Sequence, residues 1–129
     1  MKRFEPFFLM VVGLGFVASI MLTLAATARG DEAADLFEKK VRPLLARKCF
    51  DCHSAKAHEL KGNLKLDTLD DILKGGATGP AILPGDVENS FLLRAIRYQE
   101  DDYQMPPSGR MPDEDIALVE KWVRALQSE

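Results

Sequence analysis

The stretch KCFDCHSAK, residues 48–56, contains both cysteines of the 129-residue chain and one of its two histidines. Cys49 and Cys52 are separated by two residues, and His53 follows immediately. Within a helical turn these spacings put both thiols and the imidazole on one side of the backbone. A porphyrin can then form two thioether bonds through its vinyl groups and accept the imidazole on its iron. The sequence therefore predicts one covalently attached haem c, with Cys49 and Cys52 as attachment points and His53 as an iron ligand.

Three other interpretations of the cysteine pair compete with haem. A redox dithiol normally follows a strand, and no strand is predicted before Cys49. A zinc site needs four ligands, and only His58 could add to Cys49, Cys52 and His53, with Asp or Glu making up any deficit. A disulfide across two residues would close a loop too small to stabilise the chain appreciably.

Residues 1–28 have the composition of a signal peptide or an N-terminal membrane anchor. Lys2 and Arg3 precede an uncharged apolar run over residues 7–26, and Ala26-Thr27-Ala28 has the small-x-small pattern of a cleavage site. A run of that length could also cross a bilayer uncleaved. In both cases we expect the remainder, residues 29–129, to form one domain that is periplasmic or otherwise exported.

The charge balance bears on the partners of this domain. Cleavage after Ala28 would remove Lys2, Arg3 and Glu5, which changes the formal net charge from −3 to −4. Proteins that bind nucleic acid need a basic face for the phosphates, so we expect no nucleic-acid partner. A domain of this size also has a thin core, which a large bound apolar group would help to stabilise.

The spacing of apolar residues predicts an all-α domain with about four short helices and long ordered loops. The first helix is predicted over residues 31–46, with a kink or a new start at Pro43, and it should reach the cysteines. Thr68 is the predicted N-cap of a second helix, LDDILK, which ends at Gly75.

Two further helices are predicted in the C-terminal half. Asp86 is expected to cap the segment VENSFLLRAIRY. The last helix is expected to begin near Pro112, with three acidic residues in its first turn and an apolar stripe that includes Trp122.

Three side chains are candidates for the second axial ligand of the iron. His58 lies on the same side of the attachment site as His53 and would have to reach round the porphyrin. Met111 directly precedes the last helix and can pair with Ile116 as a hydrophobic staple, which gives it a structural role. Met105 has no such role and lies in a loop stiffened by two prolines. We therefore predict Met105 as the ligand, with core packing as the alternative for this methionine.

The chain resembles class I c-type cytochromes, and most closely the planctomycete-type cytochrome c domain. The stretches that carry the resemblance are FEKKVRPLLARKCFDCHS, KGNLKLDT, ILKGGATGPAILPGDVENSFLLRAI and QMPPSGRMPDEDIALVEKWV, within residues 36–123. The resemblance implies a small cytochrome c fold over residues 29–129. It implies that the haem is attached and ligated by Cys49, Cys52, His53 and Met105. It also implies that the first and last helices cross through Phe37 and Trp122.

Two further expectations come from the resemblance. Asn63 and Lys65 stand where members of this type more often have glycine and arginine, so a propionate contact by that arginine would here be made by a lysine. In the wider class a proline carbonyl accepts the ring N–H of the proximal histidine, and Pro80 and Pro84 are the candidates.

These observations predict an electron carrier with His/Met-ligated iron that serves redox partner proteins transiently, and not an enzyme. No catalytic residue is assigned. The alternative is a haem domain that binds a ligand or performs redox catalysis at an open or labile sixth position. Tyr103 is the one side chain near Met105 that could assist such chemistry, and we expect it to pack instead. A thiol module without haem is the third possibility.

Overall fold

The computed structural model describes residue 30 and residues 32–126 of the chain. The predicted signal peptide or anchor, residues 1–28, lies outside that part. The described residues form four helices, one short 3₁₀ turn and two isolated β-bridges, with no strand among them. None of these helices is both long enough and apolar enough to cross a membrane. The all-α prediction with four short helices is confirmed for this part of the chain.

The first helix, α1, occupies residues 32–48 and contains a π-helical segment, Phe37–Val41, followed by the α-helical segment Arg42–Lys48. The Arg42 N–H donates to the carbonyl of Phe37, five residues earlier. Pro43 has no N–H, and its ring would clash with the carbonyl four residues before it in a regular helix. The wider π turn lets the helix continue past this point. Pro43 therefore lies in the first turn of the α-helical segment, as predicted.

The second helix, α2, spans Leu69–Lys74 and has both of its predicted ends. The Thr68 hydroxyl accepts a hydrogen bond from the Asp71 N–H at 3.1 Å, which satisfies one of the unpaired donors of the first turn. The helix ends at Gly75, whose φ of +73° lies in the left-handed region that favours glycine.

The third helix, α3, spans only Phe91–Ile96, so the prediction that Asp86 caps a longer helix is wrong. The Asp86 carboxylate instead accepts from the Asn89 backbone N–H at 3.1 Å and closes a local turn. The buried Ser90 hydroxyl donates to the Asp86 carbonyl at 2.6 Å and accepts from the Leu83 N–H at 2.9 Å. These bonds hold Ser90 in an extended conformation, so the helix begins one residue later.

The fourth helix, α4, spans Asp113–Ala125. Its first turn carries three acidic residues at the positive end of the helix dipole, as predicted. Its buried face consists of Ile116, Val119, Trp122 and Val123.

Helices α1 and α4 cross at an aromatic contact. The rings of Phe37 and Trp122 are stacked, with centroids 5.1 Å apart and planes 26° apart. This is the crossing that the resemblance implied. Arg97, at the end of α3, forms ion pairs with Glu120 of α4 at 2.8 Å and with Glu88 at 3.0 Å. The first and last helices of the described chain thus pack on one core.

Candidate haem-attachment site

The cysteine turn begins where α1 ends. Cys49 leaves the helical conformation, with φ −131° and ψ −31°, although its N–H still donates to the Leu45 carbonyl at 2.8 Å. The Cys49 carbonyl then accepts from the N–H groups of both Cys52, at 3.2 Å, and His53, at 2.9 Å. A single carbonyl therefore closes the turn that brings the two thiols and the imidazole together.

The loop 61–66 holds this turn from outside. The Lys61 N–H donates to the Cys52 carbonyl at 3.0 Å, and the Leu66 N–H donates to the His53 carbonyl at 2.9 Å. Between them, His53 Nδ1 lies 3.3 Å from the Leu64 carbonyl. A carbonyl at that nitrogen favours the tautomer with the proton on Nδ1, which leaves the Nε2 lone pair free to bind a metal.

The carbonyl beside the imidazole ring is thus that of Leu64, and not of Pro80 or Pro84. The reason is that the loop 61–66 pairs with the backbone of Cys52 and His53 on both sides of Leu64. Any residue type supplies a carbonyl, so no feature of the sequence pointed to Leu64.

The two thiols differ in their surroundings. Both cysteines are free; Cys49 is half-buried and Cys52 is exposed. Burial, with a smaller contribution from Cys52, raises the pKa of the Cys49 thiol to about 11, although Lys48 opposes the shift. A redox dithiol needs a nucleophilic cysteine with a lowered pKa, so Cys49 does not have the character of such a site.

Cys49, His53 and Met105 line the same cavity, of about 340 Å³. Apolar side chains of α3 form one wall, including Leu92 and Ile96. A second cavity of about 290 Å³ is also lined by Cys49, His53, Met105 and Lys61, and it adds Cys52, Pro106 and Pro107. Both cavities are mostly apolar, and they share Cys49, His53, Lys61 and Met105 among their lining residues.

The other two candidate ligands lie elsewhere. Met111 is buried at 4% exposure within the main core, in keeping with the structural role predicted for it. His58 is exposed and lines a separate polar surface cavity with Arg42 and Asp67. Tyr103, in contrast, lines the cavity of about 340 Å³; it is 43% exposed and packs edge-on against Phe91.

The structure shows the surroundings of Asn63 and Lys65, the two residues that depart from the usual family pattern. Asn63 has a φ of +51°, in the left-handed region that glycine adopts freely and asparagine tolerates. Lys65 pairs with Asp71 at 2.9 Å and lines neither of the two cavities. The expectation that Lys65 replaces an arginine at a haem propionate is therefore not supported; Lys61 is the lysine that reaches both cavities.

Sequence reasoning missed the role of Ser54. Its side chain is buried, and the hydroxyl donates to the Phe50 carbonyl at 2.7 Å and accepts from the Lys56 N–H at 3.3 Å. These bonds close the end of the cysteine turn. Its place directly after the histidine was the only available signal.

The donor set fits a haem better than a bare metal ion. Among the residues that the structure describes, no group of three or more His, Cys, Asp or Glu side chains is arranged to hold a metal ion. The zinc interpretation thus gains no geometric support. Two free thiols, one imidazole with its Nδ1 engaged, a thioether and an apolar cavity are the groups that a covalently bound porphyrin requires.

Comparison with known proteins gives one match. The family model described as planctomycete cytochrome C (PSCyt1) matches residues 49–109. The matched residues begin at Cys49, include Met105 and end before Met111. No curated protein and no solved structure matches the chain significantly. The resemblance to this family is confirmed over the matched residues.

Proposed function

We propose, from the match of residues 49–109 to the planctomycete cytochrome C family model, that this chain is an exported mono-haem cytochrome. It carries single electrons between redox partner proteins, and its iron is ligated by His53 and Met105. When bound, the haem supplies a one-electron couple between ferric and ferrous iron. The observation that carries the proposal is the cavity lined jointly by Cys49, His53 and Met105.

Covalent attachment uses the two thiols of the cysteine turn. Cys49 and Cys52 would hold the porphyrin through thioether bonds to its two vinyl groups, an addition of S–H that would need no oxidant. Cys49 and Cys52 are the only cysteines in the chain, which limits thioether attachment of this kind to one haem. The exposure of Cys52 leaves one side of the site accessible during attachment.

His53 is oriented by its backbone neighbours. Its N–H, its carbonyl and its ring Nδ1 are engaged by Cys49, Leu66 and Leu64 respectively. The contact at Nδ1 leaves Nε2 as the ring nitrogen that would bind the iron, and a hydrogen bond at Nδ1 raises the basicity of the imidazole as a ligand.

Met105 is the second ligand because it is available at the cavity while Met111 is enclosed in the core. A thioether stabilises the reduced iron more than a second imidazole does, so it raises the reduction potential. The apolar walls act in the same direction, because burial disfavours the extra positive charge of ferric iron.

Redox partners approach the opening near Cys52 and Pro107, which are both exposed. Such contacts are small and short-lived, which suits turnover between donor and acceptor. The net charge of −3 attracts basic partners at long range, but it does not locate the docking face, and the opening itself is lined by Lys48, Lys61 and Asp51.

Paired methionine variants test the ligand assignment. The protein is purified in its oxidised form from the exported fraction of a host that matures c-type cytochromes. We expect a weak sulfur-to-iron absorption band towards the red end of the spectrum. Met105→Ala should abolish this band and lower the reduction potential, whereas Met111→Leu, a matched control, should retain both. Loss of the band in Met111→Leu with retention in Met105→Ala would contradict the assignment. Absence of the band from the unaltered protein would favour the alternative with an open or labile sixth position.

A further inference from the structure

We propose that Tyr98 is a positioning residue for the sixth iron ligand, because its hydroxyl anchors the loop that carries Met105. This inference rests on the proposed function, in which Met105 ligates the iron. Tyr98 lies between α3 and that loop and is not one of the residues that line the two cavities.

Two hydrogen bonds hold the chain immediately on either side of the Met105 side chain. The Met105 N–H donates to the Ala95 carbonyl at 3.1 Å. The Tyr98 hydroxyl donates to the carbonyl of Pro106. The Ala95 carbonyl also accepts from the Tyr98 N–H at 3.1 Å, and its second lone pair serves the loop. The methionine is thus held against α3 by one backbone bond and one side-chain bond.

The tyrosine bond is important because this loop has few donors of its own. Pro106 and Pro107 follow Met105, and neither has an N–H group. At these positions the backbone can only accept, through its carbonyls. The Pro106 carbonyl accepts from the Gly109 N–H of the same loop at 3.3 Å, and the Tyr98 hydroxyl is the donor that joins it to the end of α3. Pro106 is buried and Tyr98 is half-buried, so water competes poorly for the bond.

The backbone of Tyr98 supports the same conclusion independently. Its φ is +62°, and among the described residues only one other non-glycine residue, Asn63, has a positive φ. Asparagine tolerates this conformation, whereas a bulky aromatic residue rarely adopts it. Tyr98 follows Arg97, the C-cap of α3, at the position where glycine is usual. A strained tyrosine at a glycine position indicates that its side chain compensates, and the bond to Pro106 is the contact that does so.

Displacement of the methionine by imidazole tests this role. An external ligand binds only when the Met105 loop opens, so its apparent Kd varies inversely with the open fraction. Tyr98→Phe keeps the ring and removes the bond. We expect the oxidised variant to retain its sulfur-to-iron band but to bind imidazole with a Kd roughly 3- to 10-fold lower, the effect of losing one hydrogen bond. Exchange of the Met105 amide hydrogen should accelerate by a similar factor.

Ser90→Ala is the matched control, because it removes a buried hydroxyl that bridges Leu83 and Asp86, away from the Met105 loop. It should lower the thermal stability without changing the Kd for imidazole. The inference is overturned if Tyr98→Phe leaves both the Kd and the amide exchange unchanged, or if Ser90→Ala lowers the Kd equally. Met105→Ala separates the two claims: if that variant keeps the band, the proposed ligand is wrong, whereas a null result for Tyr98→Phe alone refutes only the positioning role.

Discussion

At the scale of single residues, five consecutive positions hold the two thiols and the imidazole on which the proposed haem attachment depends. The spacing of Cys49, Cys52 and His53 determines their mutual placement because one turn joins them, and the structure forms that turn around the Cys49 carbonyl. The partner of the His53 ring could not be inferred in the same way. The Leu64 carbonyl reaches His53 through tertiary pairing of two loops, and a backbone carbonyl carries no residue-specific signal.

Asp71 gives a prediction about pH at this scale. Hydrogen bonds from Lys65 and then from Thr68 lower the pKa of the Asp71 carboxyl below its ordinary value. A lowered pKa in the folded state means that the stabilising contribution is present above the ordinary pKa of an aspartate and is lost as the pH falls through the lowered one. We expect Asp71→Asn to lower the thermal unfolding midpoint at pH 6 and to have a smaller effect near pH 3.

Thermal unfolding of the haem-loaded protein at a series of pH values measures this difference. Asp70→Asn is the matched control, because Asp70 is the neighbouring carboxylate in the same first turn of α2. A constant difference between the unaltered protein and Asp71→Asn across the whole pH range would contradict the assigned hydrogen bonds.

At the scale of helices, prediction succeeded where the termini are set by local side chains. Thr68 and Gly75 bound α2 because a cap hydroxyl and a left-handed glycine act within one turn. It failed at α3, because Asp86 has the features of a helix cap but closes a turn with Asn89. The hydroxyl of Ser90 then fixes the true start through contacts with Leu83 and Asp86, which the sequence spacing does not reveal.

Alanine substitutions at two glycines distinguish the cost of backbone strain from the cost of a steric collision. Gly75 and Gly79 have φ values of +73° and +95°. A Cβ at Gly75 would lie 1.9 Å from the Gly79 carbonyl oxygen, whereas a Cβ at Gly79 meets nothing within 4 Å. We expect Gly79→Ala to cost about 1–2 kcal/mol of unfolding free energy from strain alone. Gly75→Ala should cost roughly 1–3 kcal/mol more, because rigid backbone atoms must move.

Denaturant unfolding of the two variants with haem bound provides these free energies. The matched pair shares the same type of substitution and the same sign of φ. Equal costs for Gly75→Ala and Gly79→Ala would show that the close approach of the backbone at Gly75 does not constrain the native state.

At the scale of the whole molecule, the all-α class followed from apolar spacing, and the contact between the first and last helices followed from the family resemblance. The ion pairs of Arg97 with Glu88 and Glu120 were not predicted, since Arg97 and Glu120 are 23 residues apart in sequence. Contacts of that range depend on how the loops fold, and the loops contain the prolines and glycines whose geometry is hardest to infer from sequence.

The helix crossing gives a prediction about the core. Trp122 is fully buried, and its Nε1 has no hydrogen-bond partner among the described residues. An unpaired buried donor costs about 1–3 kcal/mol, and Trp122→Phe removes that cost. This gain should offset part of the packing energy lost with the smaller ring, so we expect the variant to lose less than about 1.5 kcal/mol of unfolding free energy. Phe37→Ala, which empties the other side of the stack, should cost about 3–5 kcal/mol.

Denaturant unfolding of both variants with haem bound measures their free energies of unfolding. The two values are compared with the same dependence on denaturant concentration, the m-value, for both variants. A Trp122→Phe variant as unstable as Phe37→Ala would mean that the indole N–H is satisfied in solution or that its volume is critical to the crossing.

The most direct test of haem attachment at the cysteine turn is an intact-mass measurement. The protein is exported from a host that matures c-type cytochromes, denatured and treated with iodoacetamide before its mass is measured. We predict a polypeptide whose mass is increased by that of one haem, with no alkylation because Cys49 and Cys52 are both consumed in thioether bonds. A polypeptide without added haem that takes up two alkyl groups would contradict the covalent attachment on which the proposed function depends.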